Sequence, residues 1–220
     1  LNKRTEEIKK AIKIKEQQIS LLIERKKIMI YNAVTKGINS NTPMKDSCID
    51  WVGFIPANWD TKKLKHIFYE KKHKSNMSLN CGSISFGEVI EKNDETILES
   101  TKKSYQEVLV GEFLLNPLNL NYDLKSLRIA LSKIDVVVSA GYIVLKERQI
   151  INKQYFKYLL YLYDVFHMKL MGSGVRQTIN FGHIANSILI FPSIDEQKKI
   201  STHIDNECEK INNLVNPYEK

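Results

Sequence analysis

Three polar stretches hold the residues best suited to chemistry. The first, Gly172-Ser-Gly-Val-Arg-Gln-Thr-Ile-Asn180, sets Arg176 beside Gln177. Arginine can fork onto the acceptor edge of guanine, and glutamine onto adenine, in the major groove. The second, Asn116 to Arg128, is rich in asparagine and carries Tyr122, Lys125 and Arg128. The third is the basic run Lys71-Lys72-His73-Lys74, suited to phosphate oxygens. Any one of these is also what an ordinary solvated loop looks like. Three of them on one domain weaken that bland reading without removing it.

Catalytic constellations were sought and none stands. Asn116-Pro117-Leu118-Asn119 has the outline of an amino-methyltransferase loop, but Asn119 occupies the place of the aromatic that stacks a flipped base. No glycine-rich strand–turn–helix for S-adenosylmethionine precedes it. Asp123-Leu-Lys125 and Glu70-Lys-Lys72 lack the further carboxylate that a metal-dependent nuclease needs. The five histidines are scattered, and none has metal-ligand spacing with Cys or a carboxylate. No phosphate loop of the Gly-x-x-x-x-Gly-Lys type and no nucleophile elbow occurs. No catalytic residue, metal or cofactor is therefore expected from the sequence.

The elements that would position these loops begin with residues 1–36. No Pro or Gly interrupts them before Gly37, so a single helix of about 50 Å is expected. Apolar residues recur at alternating steps of three and four, at Ile8, Ile12, Ile19, Leu22 and Met29. That spacing is a coiled-coil seam, too narrow for a globular core. A partner helix is expected near the other end, where Ile200, Ile204, Cys208 and Ile211 share a face after the capping-box sequence Ser193-Ile-Asp-Glu196. Pro217 limits that helix to about 21 residues, so it covers only part of the first. Residues 1–36 carry ten Lys/Arg against four Asp/Glu, and residues 194–220 carry four against six, so the two helices are of opposite sign. The competing expectation is that both helices simply pack on the domain between them.

Between the helices lies an α+β pattern. A polar linker runs from Ile38 to Asp50, and Trp51 and Trp59 open the globular part as core residues. Strands are expected over 83–90, 107–116, 129–131, 135–145 and 187–191 in a mixed sheet, with Val108, Val110, Phe113 and Leu115 pointing inward. Tyr155 to Met171 reads as one helix with Phe156, Leu159, Leu160, Tyr163, Phe166 and Leu170 facing the core, and Asn180 to Ile184 as a helical turn. The expected organisation is a helix at 1–36, a globular domain at 37–192 and a helix at 193–220, the two helices pairing antiparallel.

Across 220 residues the net charge is +8, which favours polyanions without requiring them. No apolar run approaches the length of a membrane span. Three unpatterned cysteines and the absence of a signal peptide are what a cytoplasmic protein would show. A start at Leu1, within a helix, suggests a piece of something longer.

Several motifs in order resemble one family. Ala33-Val-Thr-Lys-Gly37, Gly53-Phe-Ile-Pro-Ala-Asn-Trp59 with Lys63-Leu64, Gly111-Glu-Phe-Leu-Leu-Asn116, Val138-Ser-Ala-Gly-Tyr-Ile-Val144, Gly174-Val-Arg-Gln-Thr-Ile179 and Ile190-Phe-Pro-Ser-Ile-Asp-Glu-Gln197 are similar to stretches of the specificity (S) subunit of bacterial type I restriction–modification systems. Such a subunit carries two target recognition domains separated by conserved helices that pair as an antiparallel coiled coil. The resemblance implies a C-terminal half: central helix, second recognition domain, distal helix. It implies a non-catalytic reader of one half of a bipartite site in double-stranded DNA. Modification (methyltransferase) subunits, and through them restriction subunits, are the implied partners, with a second copy bound through the helices as another. Glu112 stands where the family often has Asp, and the distal helix is short. The base-reading candidates are Tyr122, Lys125, Arg128, Arg176 and Gln177; the phosphate candidates are Lys71, Lys72 and Lys74. Arg176 has a rival role in fixing its own loop. Two other classes remain open on the residues alone: a protein-only coiled-coil adaptor, and a solitary DNA-modifying enzyme.

Overall fold

A computed structural model of the protein describes residues 2–95, 97–118, 127–168 and 178–215. The chain opens with α1 (Asn2–Lys36), β1 (Met44–Asp46), β2 (Phe54–Pro56), β3 (Asp60–Lys63), α2 (Leu64–Ile67) and β4 (Phe68–Glu70). Then come β5 (Gly82–Ser85), β6 (Glu88–Glu91), α3 (Glu99–Lys103), β7 (Gln106–Val108), β8 (Phe113–Leu115) and β9 (Ile129–Leu131). It continues with β10 (Val136–Val138), β11 (Ile143–Glu147), α4 (Lys153–Phe166), α5 (Phe181–Ala185), β12 (Ile188–Phe191) and α6 (Ile194–Val215).

The central sheet has four strands in the order β4-β11-β8-β9, and every pair in it is antiparallel. Four two-stranded pairs surround it: β1-β2, β7-β10, β3-β12 and β5-β6, also antiparallel. A single parallel bridge, Cys81 to Val137, ties the β5 end to β10. Alternation along β8 explains its burial on both faces. Phe113 and Leu115 enter the main core with Trp59, Phe68 and Phe156, while Leu114 joins Val108, Val136, Val138 and Val144 in a second, smaller one.

Helix α1 stops as its sequence dictates, with Gly37 at φ 75° and its N–H bonded to the Ala33 carbonyl. A Cβ at Gly37 would lie 3.3 Å from the Trp59 ring, which adds a steric reason for glycine. Helix α6 starts as expected too, the Glu196 N–H donating to Ser193 Oγ. The two helices run antiparallel: Gly37 lies beside Glu196, and Lys26 Nζ donates to Asn212 Oδ1 at 3.0 Å.

The two expectations for α1 are both met, each by a different half. Toward its C-terminus, Ile30, Ala33 and Val34 are buried against the domain, and Tyr155 of α4 donates its hydroxyl to the Val34 carbonyl. Ile200, Ile204 and Ile211 of α6 are buried, and Ile19, Leu22 and Met29 half-buried. Ile8 and Ile12 are 55% and 53% exposed, since α6 has 22 residues against 35 in α1 and ends before reaching them. Among the described residues of one copy, α6 leaves these two uncovered.

Two inward assignments are corrected. Val110 is exposed because it enters the turn at Gly111, whose φ is 84°. Phe166 is exposed at the last position of α4, where the helix has passed the core. Strands β3 and β4 were not expected, because Asp60–Lys63 is wholly polar and Phe68–Glu70 is only three residues long.

Candidate nucleic-acid interface

Strand β4 is one edge of the central sheet, and its neighbour β11 sets Lys146 opposite Tyr69. Beyond β4 the Lys71 N–H still bonds the Val144 carbonyl, so the basic run leaves the sheet in a fixed register. A cavity of about 830 Å³ opens along this edge, lined by Tyr69, Lys72, His73, Lys74, Lys146, Arg148 and Phe181 among others. The Arg148 guanidinium lies 5.0 Å over the Tyr69 ring, and its Nε donates to the Lys65 carbonyl. Cations interleaved with aromatic faces can hold phosphates and stack bases at once.

The lysines of the basic run are not equivalent. Lys71 Nζ sits between two buried carboxylates, 2.9 Å from Glu112 and 3.3 Å from Glu107. Lys74 Nζ pairs with Glu107 at 3.1 Å, and Asn76 donates to the same carboxylate. Burial of Glu107 opposes its charge, but hydrogen bonds from Lys74, Asn76 and Lys71 outweigh that and hold its carboxyl below the usual range. Two positive charges are thus largely spent on two internal negative ones. Among the described residues, Lys72, Lys146 and Arg148 form no ion pair, and they are cations this edge can offer to a phosphate.

Arg128 lies elsewhere. It is buried, its backbone N–H and Nε both donating to Asp164 on α4, at 2.6 and 3.0 Å. Among the described residues, Nη1 and Nη2 are buried without a hydrogen-bond partner. In this arrangement Arg128 faces the interior and fastens β9 to α4; it does not present a fork at the surface. Tyr122, Lys125, Arg176 and Gln177 lie outside the described residues. The residues flanking those two stretches meet: Leu118 bridges Thr178, and the Ile179 N–H bonds the Pro117 carbonyl.

Lys146, Arg148, Tyr69 and Phe181 were missed from sequence. For Tyr69 and Lys146 the signal is a pairing register between residues 77 positions apart, which no local pattern carries. Among the described residues no group of three His, Cys, Asp or Glu could hold a metal ion. No described helix is long and apolar enough to cross a membrane.

Against solved structures, the chain aligns over 98% of its length with the HsdS subunit from Thermoanaerobacter tengcongensis, at TM-score 0.56 and 12% identity. The fold is that of a type I specificity subunit. A chain from work on the assembly and conformational transition of a type I R-M system aligns over 98% at TM-score 0.57 and 12% identity. The type I restriction–modification S subunit from M. genitalium aligns over 92% at TM-score 0.51 and 11% identity. The alignments cover 50%, 53% and 52% of those chains, so this chain spans about half the length of each. No family model matches the sequence, and no curated protein does.

Proposed function

We propose that the chain is the half of a type I specificity subunit that reads one half of a bipartite site in double-stranded DNA. Residues 1–36 and 193–220 are its conserved helices and residues 37–192 its recognition domain. The observation that carries this reading is alignment of almost the whole chain with about half of an HsdS subunit. The basic, aromatic-lined edge around Lys72, Lys146 and Arg148 supports it, because it offers phosphate contacts. The helices scaffold modification subunits and, through them, restriction subunits, and the chain has no catalytic activity of its own. Bases are read by the loops holding Tyr122, Lys125, Arg176 and Gln177. Exposed Ile8 and Ile12 favour a further helix on α1, from a modification subunit or a second copy.

Titration of labelled duplex DNA of random sequence at several salt concentrations, with and without a modification subunit, tests the reading. Binding that falls steeply with salt and tightens with the modification subunit is expected. No binding at low salt in either state, with the fold intact, would overturn it in favour of a protein-only adaptor. Metal-dependent cleavage by the chain alone would overturn it in favour of a solitary enzyme.

A further inference from the structure

Arg148, just past the end of β11, is held by both its main chain and its side chain. Its backbone N–H donates to the Ile67 carbonyl at 2.8 Å, and its Nε donates to the Lys65 carbonyl at 3.0 Å. Its guanidinium lies 5.0 Å over the Tyr69 ring. Gln149 repeats the clamp one residue on, donating from Nε2 to the His66 carbonyl and accepting from Lys62 Nζ. The end of β11 is thereby fastened to α2 and β4. Tyr69 stands opposite Lys146, so by strand alternation Tyr69, Lys146 and Arg148 share one face. Glu70 also lines the cavity there but, next to Tyr69 in β4, points to the opposite face.

These bonds leave the tip of the arginine unused. Arg148 is exposed, and among the described residues neither Nη has a hydrogen-bond partner and no carboxylate pairs with it. The neighbouring cations Lys72 and Lys146 end in compact ammonium groups on flexible stems, which serve a phosphate from any direction. Arg148 instead offers two N–H groups in a plane already set by the Nε bond and the ring. Little rotamer freedom is left to lose on binding, so the fork favours a directional partner. Guanine presents such a partner in the major groove, its O6 and N7 acceptors side by side. A phosphate offers two oxygens as well. The rings of Tyr69 and Phe181 in the same cavity gain nothing from a phosphate, however, whereas they suit the flat faces of bases.

We propose that Arg148 determines specificity at one guanine of the half-site, forking through Nη1 and Nη2 onto O6 and N7. Tyr69 is a positioning residue, because it acts by holding the guanidinium plane. Lys72 and Lys146 fix the duplex by its phosphates while Arg148 reads. The assignment rests on the DNA-reading role proposed for the chain, and it adds a base contact outside the loops of Tyr122, Lys125, Arg176 and Gln177.

The test uses the full chain with a modification subunit and a pool of random-sequence duplexes, the bound fraction being sequenced. The parent is expected to select a half-site with an invariant G·C pair. Arg148→Lys keeps the charge, so it should lose discrimination at that pair alone, by about five- to hundredfold, with the salt slope unchanged. Replacing that guanine by 7-deazaguanine, which lacks the N7 acceptor, should weaken the parent more than Arg148→Lys, a difference that a merely structural role would not produce. Tyr69→Phe keeps the ring and should retain the preference, whereas Tyr69→Leu should reduce it. A selected half-site that Arg148→Lys leaves unchanged would overturn this proposal alone. So would Arg148→Ala weakening all sequences equally with a salt slope lower by about 1, since Arg148 would then be a phosphate contact. No duplex retained by the parent, with the fold intact, would overturn the DNA reading itself and this assignment with it.

Discussion

Asp164, in the last turn of α4, accepts both the main-chain N–H and the Nε of Arg128, at 2.6 and 3.0 Å. One carboxylate thereby fixes the entry to β9 and the end of α4, beside the two stretches that hold the base-reading candidates. Asp164→Ala leaves a buried guanidinium without its counter-charge, and a loss of about 3–5 kcal/mol is expected. Replacing both residues by Leu should cost clearly less, because no orphaned charge remains. Urea unfolding of the singles and the double measures this; a single variant as stable as the parent would refute the clamp.

Acid should weaken the Glu107 network only below pH 4.5. Its carboxyl is held below the ordinary value of 4.5, so between the two values the unfolded chain binds the extra proton. The network's contribution is therefore complete above pH 4.5 and is lost as pH falls through the depressed value. Tm measured against pH should fall on the acid side, and Glu107→Gln should make that limb shallower while lowering Tm at neutral pH. An acid limb unchanged by the variant would show that Glu107 does not drive it.

How much was legible in the sequence followed from how local the cause was. Helix α1 itself, its stop at Gly37 and the start of α6 at Ser193 each rest on residues within a few positions, and each stands in the structure, whereas Ile8 and Ile12 of the seam are exposed. The edge strand β4 and its cations Lys146 and Arg148 rest on a sheet register, so only the basic run itself was visible. Arg128 looked like a reader because its neighbours are polar; its buried partner is 36 residues away. Lys71 and Lys74 were visible as charge, while the carboxylates that occupy them, Glu107 and Glu112, became neighbours only on folding.

The three thiols should separate by reactivity. Cys48 is exposed, whereas Cys81 and Cys208 are buried. Burial, with Asp94 beside it, pushes the Cys81 thiol up to about 11, and burial raises Cys208 as well. Alkylation of the native protein near pH 8 should modify one thiol quickly, located at Cys48 by peptide mapping, and all three in urea. Rapid native labelling of Cys81 would contradict the packing of β5 on β10.

DNA binding should distinguish the lysines along β4. Lys72→Ala with Lys146→Ala removes two unpaired cations and should lower the slope of log K against log salt by about 2. Lys71→Ala should act differently, since it strips a partner from the buried carboxylates Glu107 and Glu112. Its main effect should be reduced stability in urea. If Lys71→Ala alters the salt slope while the other pair does not, the phosphate path lies elsewhere.

Phe86→Asn should stabilise the fold, an uncommon direction for a substitution. The gain arises in the turn alone. Phe86 at φ 47° carries the strain of a left-handed backbone, and its exposed ring recovers little by packing. Asparagine tolerates that conformation, so a gain of up to about 1 kcal/mol is expected. Gly87→Ala should run the other way. The turn needs φ 80° there, and a Cβ would come within 2.6 Å of Leu127 Cδ1 and 3.2 Å of Leu127 Cβ. The first contact can be relieved by rotating the leucine tip, but the second requires a shift near the start of β9, so a loss above about 1 kcal/mol is expected. Urea midpoints for the two variants should therefore move in opposite directions from the parent. If Phe86→Asn destabilises, the ring contributes to the stability of the folded chain itself.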